Sequence, residues 1–266
     1  MRTILLAAAL VLGAIPALAQ RQTDKSFTWE GRIPDGKWLV LHDINGSIRV
    51  EGTTGDKVEV TATKSWRRGD PDDVRITVAK FGEASDNVVI CALWNEGATC
   101  DQHGYRSERH SSNRNNDVSV EFTVRLPRGV RIEASTVNGG VRVDGATSEV
   151  EARTVNGDAS AISSGGPVRA STVNGDIDVR MSELGTGDLD YSTVNGSVTL
   201  DFPDALDAEV DFATVNGSLR SDYPLTVTGK LNPRRMRATI GNGGRRLKVH
   251  TVNGSISLRK ASGRTR

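Results

Sequence analysis

Carboxylates at alternate positions are the residues of this chain best placed to do chemistry. Asp176 and Asp178, Asp188 and Asp190, and Asp207, Glu209 and Asp211 are each two residues apart. In an extended strand that spacing puts side chains on one face. Carbohydrate-cleaving β-helices use such pairs as acid and base or nucleophile, with carboxyls ~5–9.5 Å apart. Outward acids also simply solvate a strand, so the pairs support only an alternative reading, a polysaccharide-active β-helix enzyme with an Asp-rich face. Other signatures are missing: there is no Gly-x-Ser-x-Gly elbow, no His-Glu-x-x-His and no Walker-type loop. Cys100, His103 and His110 are too few and too loosely spaced for a metal centre. No catalytic, metal or cofactor-binding residue is therefore assigned, no cofactor is expected, and a non-enzymatic protein is the favoured reading.

The elements that would position any such residue are set by a repeat. Thr-Val-Asn-Gly starts at Thr136, Thr154, Thr172, Thr193, Thr214 and Thr251, with a variant at Asp43-Ile44-Asn45-Gly46. Spacings of 18, 18, 21, 21 and 37 residues separate the copies, and Ile240-Gly241-Asn242-Gly243 reads as a degenerate copy inside the last gap. Before each turn apolar residues alternate, as in Val168, Ala170 and Thr172; after it they return, as in Ile177 and Val179. Period two means strands with one buried face, and no segment after residue 20 sustains a helical period. The chain is all-β.

Two architectures fit Asn-Gly. In a two-residue hairpin both residues take positive φ, which they tolerate best, and the result is an antiparallel sheet or sandwich. In a parallel β-solenoid of about 18–21 residues per coil, Asn-Gly is a corner. Identical corners then stack about 4.8 Å apart, and their asparagines form a hydrogen-bonded ladder. The recurrence of Val beside Asn favours the solenoid, with Val155, Val173, Val194 and Val215 expected inside. The corner residues are Asn45, Gly46, Asn138, Gly139, Asn156, Gly157, Asn174, Gly175, Asn195, Gly196, Asn216, Gly217, Asn253 and Gly254.

The expected organisation is a signal peptide over 1–19, an irregular β-rich region or cap over 20–126, the repeat solenoid over 127–260 and a basic tail over 261–266. Arg2, the apolar run from Ile4 to Leu12 and Ala17-Leu18-Ala19 are the parts of a secretory signal. No later stretch is apolar enough to cross a membrane, so an exported chain, periplasmic or secreted, is expected. In that compartment Cys91 and Cys100 read as a disulfide. Trp38–Asp43, Ser47–Glu51, Lys57–Ser65, Val74–Lys80, Val88–Leu93 and Val118–Leu126 read as strands, and the polar segment 101–117 as a mobile loop.

The opening Ile-Asn-Gly-Ser-Ile-Arg-Val-Glu-Gly (44–52), the serial Thr-Val-Asn-Gly units and the closing Gly-Asn-Gly-Gly…Thr-Val-Asn-Gly-Ser-Ile-Ser-Leu (241–258) resemble the bacterial adhesin-like β-strand-repeat family, a domain group of unknown function. The resemblance covers roughly residues 40–260. It implies a β-helical exported protein and supplies no catalytic residues to carry over.

Net charge is +1, which gives no reason to expect a nucleic-acid partner. Its distribution along the sequence is uneven. Residues 229–266 hold 11 Lys/Arg and no acid, whereas residues 144–222 hold 15 Asp/Glu against four Arg. That reads as a dipole along the solenoid axis, with Arg234, Arg235, Arg237, Arg245, Arg246 and Lys248 as candidate contacts to an anionic surface. The expected function is an adhesin-like binding or scaffold module at the cell envelope, its partner an envelope protein, a glycan or an anionic surface.

Overall fold

The computed structural model describes residues 19–22, 25–94, 97–107, 116–227 and 234–261. Most of the expected signal peptide, the centre of the polar 101–117 segment and the basic tail after Ala261 lie outside the described residues. Alternation of apolar and polar side chains makes nearly every element a strand with one face inward. Val168–Ser171 and Ile177–Met181 alternate buried with exposed or half-buried residues throughout. The two strands flanking each Asn-Gly lie in different sheets, and each pairs in parallel with its counterparts from other repeats. The chain is a parallel β-solenoid, and the hairpin alternative is excluded.

Each rung consists of an entry strand, a corner and an exit strand. The entry strands lie in one sheet of 11 strands and the exit strands in a second of 11, with the core between the two sheets. Register holds down the stack, where Val141, Ala159, Ile177, Val198, Ile256 and Leu219 are successive partners in the exit sheet. Core side chains are small in the middle of the rod and large towards its ends. The column through Ala134, Ala152 and Ala170 passes to Tyr191, Val249 and Phe212. One hydrophobic core runs from Phe27 to Leu258, continuous across residues 126–127.

Rung order departs from chain order at both ends. Named by their asparagines, the rungs stack as Asn45, Asn138, Asn156, Asn174, Asn195, Asn253, Asn216. The last strands of the chain, Arg245–His250 and Ile256–Lys260, thus wedge between rungs made earlier. At the other end Trp38–His42 and Ile48–Thr53 lie between the Asn138 rung and a coil formed by Asn87–Leu93 and Ser119–Pro127. Antiparallel strands then cover that end: Arg75–Phe81 in the entry sheet, and Val58–Ser65, Ser26–Gly31 and Ala19–Gln22 in the exit sheet.

Ile240-Gly241-Asn242-Gly243 is not a rung. It links Arg235–Ile240 to Arg245–His250, which flank Ala208–Ala213 on opposite sides. Asn242 donates its amide to Asp207 at 2.7 Å instead of joining the ladder. Two glycines at positive φ, Gly241 and Gly243, make this turn possible.

Residues 101–107, the described start of the polar segment after Cys100, belong to two strands and the turn between them where a loop was expected. Ala98–Asp101 and Gly104–Ser107 form a hairpin, and a Cys91–Cys100 disulfide ties it to the entry sheet. Val40, Val89, Leu93 and Ala98 make a second small core on the sheet's outer face, with Trp38, Phe81 and Tyr105 against it. Reducing this disulfide is expected to cost about 2.5 kcal/mol, from the entropy of so short a closed loop. Denaturant titration with and without reductant measures that, and hydrogen exchange should show protection lost first over residues 98–107.

Candidate functional site

The corners form a continuous ridge. Each Asn donates its side-chain amide to the Asn before it in the stack, at 2.7–2.9 Å, from Asn138 to Asn45 through to Asn216 to Asn253. Inside the corner each Thr hydroxyl donates to the glycine carbonyl of the neighbouring rung, as Thr154 does to Gly139 at 2.7 Å and Thr172 to Gly157 at 2.8 Å. This bond allows the threonines to be buried, all at 4–6% exposure, because a buried hydroxyl without a partner is costly.

The valines do not point inward, contrary to expectation. Val137, Val155, Val173, Val194, Val252 and Val215 are 37–49% exposed. Thr172 is the last inward residue before the corner and Ile177 the first after it, so the four residues Val173–Asp176 round the outside. The switch of face falls across the whole turn and not between Thr and Val. What the corner presents is therefore a row of valines beside a row of hydrogen-bonded amides, with no charged residue in either. Asn174→Ala removes two ladder bonds at once and is expected to cost about 1–2 kcal/mol, read as a fall in urea midpoint.

Asp43 breaks the threonine column. It is 6% exposed, and neither carboxyl oxygen has a hydrogen-bond partner. Burial pushes its carboxyl up to about 8; the Ile44 amide pulls weakly the other way without reaching hydrogen-bond geometry. Beside it, His42 Nδ1 lies 2.5 Å from Ser135 Oγ, while its buried Nε2 has no partner. Burial is the main influence lowering the His42 pKa. The contact resembles a base–nucleophile pair, on paired strands whose own backbone amides serve the ladder.

The acidic residues are dispersed and engaged. Asp176 is a corner residue whose carboxylate accepts the Ser197 amide at 2.7 Å. Asp178 lies on the exit sheet, its pKa raised by partial burial and then by Asp201. Asp188 accepts the Arg246 amide, Asp190 meets Lys248 and Asp207 accepts the Asn242 amide. Asp211 takes a two-pronged contact from Arg235, which holds its carboxyl below the usual range. Only one member of each alternate pair lies in a strand, except Glu209 and Asp211, and the sets belong to two different sheets.

The basic residues interleave with these acids. Arg235 and Arg237 face Asp211, Lys248 faces Asp190, and Arg245 donates to the carbonyls of Leu184 and Gly185. Arg234 lies just before Arg235 at the start of the same outer strand, and Arg246 lines an open groove of about 550 Å³ with Glu209, Arg237 and Lys248. Among the described residues the acidic and basic blocks do not separate into the expected axial dipole. Wedging the basic Arg245–His250 strand between the acidic Leu189–Ser192 and Ala208–Ala213 sets Lys248 between Asp190 and Asp211 in register. Further along the entry sheet Glu133, Glu149, Glu151, Arg153 and Arg169 pair across strands in the same manner. Among the described residues no group of three or more potential ligands gathers for a metal, and no helix is long and apolar enough to cross a membrane.

A parallel solenoid with stacked Asn-Gly corners and an outward ridge defines a β-solenoid repeat protein. The chain belongs to the Toastrack DUF4097 family, which it matches over residues 37–259. No curated protein matches it. Among solved structures it is similar to a "putative cell adhesion protein" of Clostridium sporogenes, at 10% identity over 89% of this chain and 100% of that one, TM-score 0.47. It is also similar to a "putative adhesin" of Bacteroides fragilis, at 10% identity over 90% and 98%, TM-score 0.27.

Proposed function

We propose that this Toastrack protein is an exported, non-enzymatic, adhesin-like binding or scaffold module that works at the cell envelope. The observation carrying this reading is the ridge: six exposed valines and seven bonded asparagines in straight rows, uncharged throughout. Such a surface offers repeated apolar and amide contacts at a fixed spacing, which suits an extended envelope ligand better than a small molecule. Most of the carboxylates are spread over two sheets, and Asp211, which shares a strand face with Glu209, is held by Arg235; both weigh against acid–base hydrolysis, in which two carboxyls act on one bond. The signal-like residues 1–19 support export, and amino-terminal sequencing of the exported chain should begin at Gln20.

Cosedimentation with isolated cell envelopes tests the ridge. Val155→Lys with Val173→Lys should lower binding at least tenfold while leaving the melting temperature within a few degrees, since both side chains are already outside. Unchanged binding would sink this use of the ridge. Turnover of any envelope glycan, abolished by Asp176→Asn or Asp211→Asn, would sink the non-enzymatic reading.

A further inference from the structure

Three of the four sheet ends are closed by antiparallel strands. Arg75–Phe81 and Ala19–Gln22 with its partners close the first end, and Arg235–Ile240 with Thr226–Val227 closes the entry sheet at the second. The exit sheet is different. It finishes on Leu219–Ser221, parallel to Ile256–Lys260, and no strand lies beyond it among the described residues. Leu219 is half-buried, whereas its stack partners Ile256, Val198 and Ile177 are at most 1% exposed.

This end is an unfilled copy of the contact made at every other rung. Towards the Asn253 rung, Asn216 donates its amide to Val252 O and its side chain to Asn253 Oδ1, and Thr214 donates to Gly254 O. In return Gly254 N–H donates to Asn216 O and Ile256 N–H to Ser218 O. The equivalent outward groups of the last rung are Val215 O, Asn216 Oδ1, Gly217 O, Gly217 N–H and Leu219 N–H. None has a partner among the described residues.

We infer that this edge binds an extended peptide strand of Thr-x-Asn-Gly type, added in parallel as an eighth rung. Exposed edges take added strands through main-chain bonds, with side chains supplying specificity. Here glycine selects the register. In the existing stack a Cβ at Gly254 would lie 1.9 Å from Gly196 O, and one at Gly217 would lie 1.8 Å from Gly254 O. The residue seated over Gly217 must lack a Cβ in the same way. Thr places its hydroxyl on Gly217 O, and Asn places its amide on Asn216 Oδ1. Arg220 is exposed on the outer face, in the row that runs through Ser257 and Thr199 to Asp178. An acid three residues after the incoming glycine therefore meets it. The inference goes beyond the ridge: Val155 and Val173 belong to the Asn156 and Asn174 rungs, so the ridge variants leave this edge intact.

The test uses the full chain and a fluorescent peptide with the sequence of residues 171–180, Ser-Thr-Val-Asn-Gly-Asp-Ile-Asp-Val-Arg. Saturable binding is expected, weakened at least tenfold by G175V in the peptide and absent for a scrambled peptide. Leu219→Pro in the protein removes an outward N–H that no neighbouring strand uses, so it should abolish binding while lowering the melting temperature by a few degrees through lost packing of the half-buried side chain. Should that variant fold poorly, Arg220→Glu serves instead: it should weaken this peptide several-fold and be rescued by D178R in the peptide. Equal binding of the scrambled peptide, or no saturable binding, overturns the proposal. Dimerisation lost in Leu219→Pro without peptide binding also overturns it and gives the edge to a second copy.

Discussion

Asp43→Thr is expected to raise stability by on the order of 5 kcal/mol more at pH 9 than at pH 4, where only the gained hydroxyl hydrogen bond, about 1 kcal/mol, remains. The folded carboxyl is pushed up to about 8 by burial, while the unfolded one titrates near ~4. Below pH ~4 both states hold the proton and the group costs nothing through ionisation. From there to about pH 8 the unfolded chain has released its proton and the folded chain retains it, so wild-type stability falls by about 1.4 kcal/mol per pH unit. Above the folded value both are ionised and the curve levels. Threonine removes the titrating group and supplies the hydroxyl that the other six rungs use. Its acceptor is the Val120 carbonyl, which stands to Gly46 as the Gly46 carbonyl stands to Gly139. His42 works in the opposite sense, since its lowered pKa withdraws stability as pH falls through the acid range. The difference between wild type and variant isolates Asp43. Urea titrations at pH 5, 7 and 9 measure it, and a difference independent of pH would refute the buried, protonated carboxyl.

Gly157→Ala is expected to cost at least about 3 kcal/mol, enough to unfold a marginal domain. An added Cβ would lie 2.2 Å from the Gly139 carbonyl oxygen and 2.5 Å from its carbon, at a φ of +154°. Both atoms are backbone of the adjacent rung, itself bonded to the next, so relief requires opening the stack. Gly55→Ala is the control: its nearest neighbour is Thr53 Oγ1 at 3.6 Å, and a change within 0.5 kcal/mol is expected there. Thermal melts of the two variants decide the matter, and a Gly157→Ala loss below about 1 kcal/mol would contradict the stacking constraint.

The sequence made the rungs visible and their neighbours invisible. Period-two alternation located the six strands expected between Trp38 and Leu126 to within two residues, and the Asn-Gly corners carry the ladder. The valines misled because repetition beside Asn was read as packing. Both candidate architectures put Thr172 and Ile177 inside; the solenoid is correct in topology, whereas the outward Val173 is what the hairpin would have given. Nothing local distinguishes a rung's neighbour in the stack, so the acidic and basic blocks read as a dipole although Lys248 lies between Asp190 and Asp211. One missed feature did leave a trace. Leu39–Leu41 and Val88–Leu93 are unbroken apolar runs, buried at every position, as expected for strands covered on both faces. That second cover is the disulfide-tethered hairpin, whose own polar residues hid it.

The out-of-order Asn253 rung also sets a timetable for folding. A chain growing from its amino terminus can add rungs in order of synthesis as far as Asn195. The Asn216 strands, made next, find their final neighbour missing, because residues 245–260 must arrive before the gap has anything to fill it. Native completion is thus withheld until residues 245–260 have been delivered. Non-local pairing of this kind is slow, and any ribosome that stops short of residue 245 releases a rod whose final stitch cannot be made.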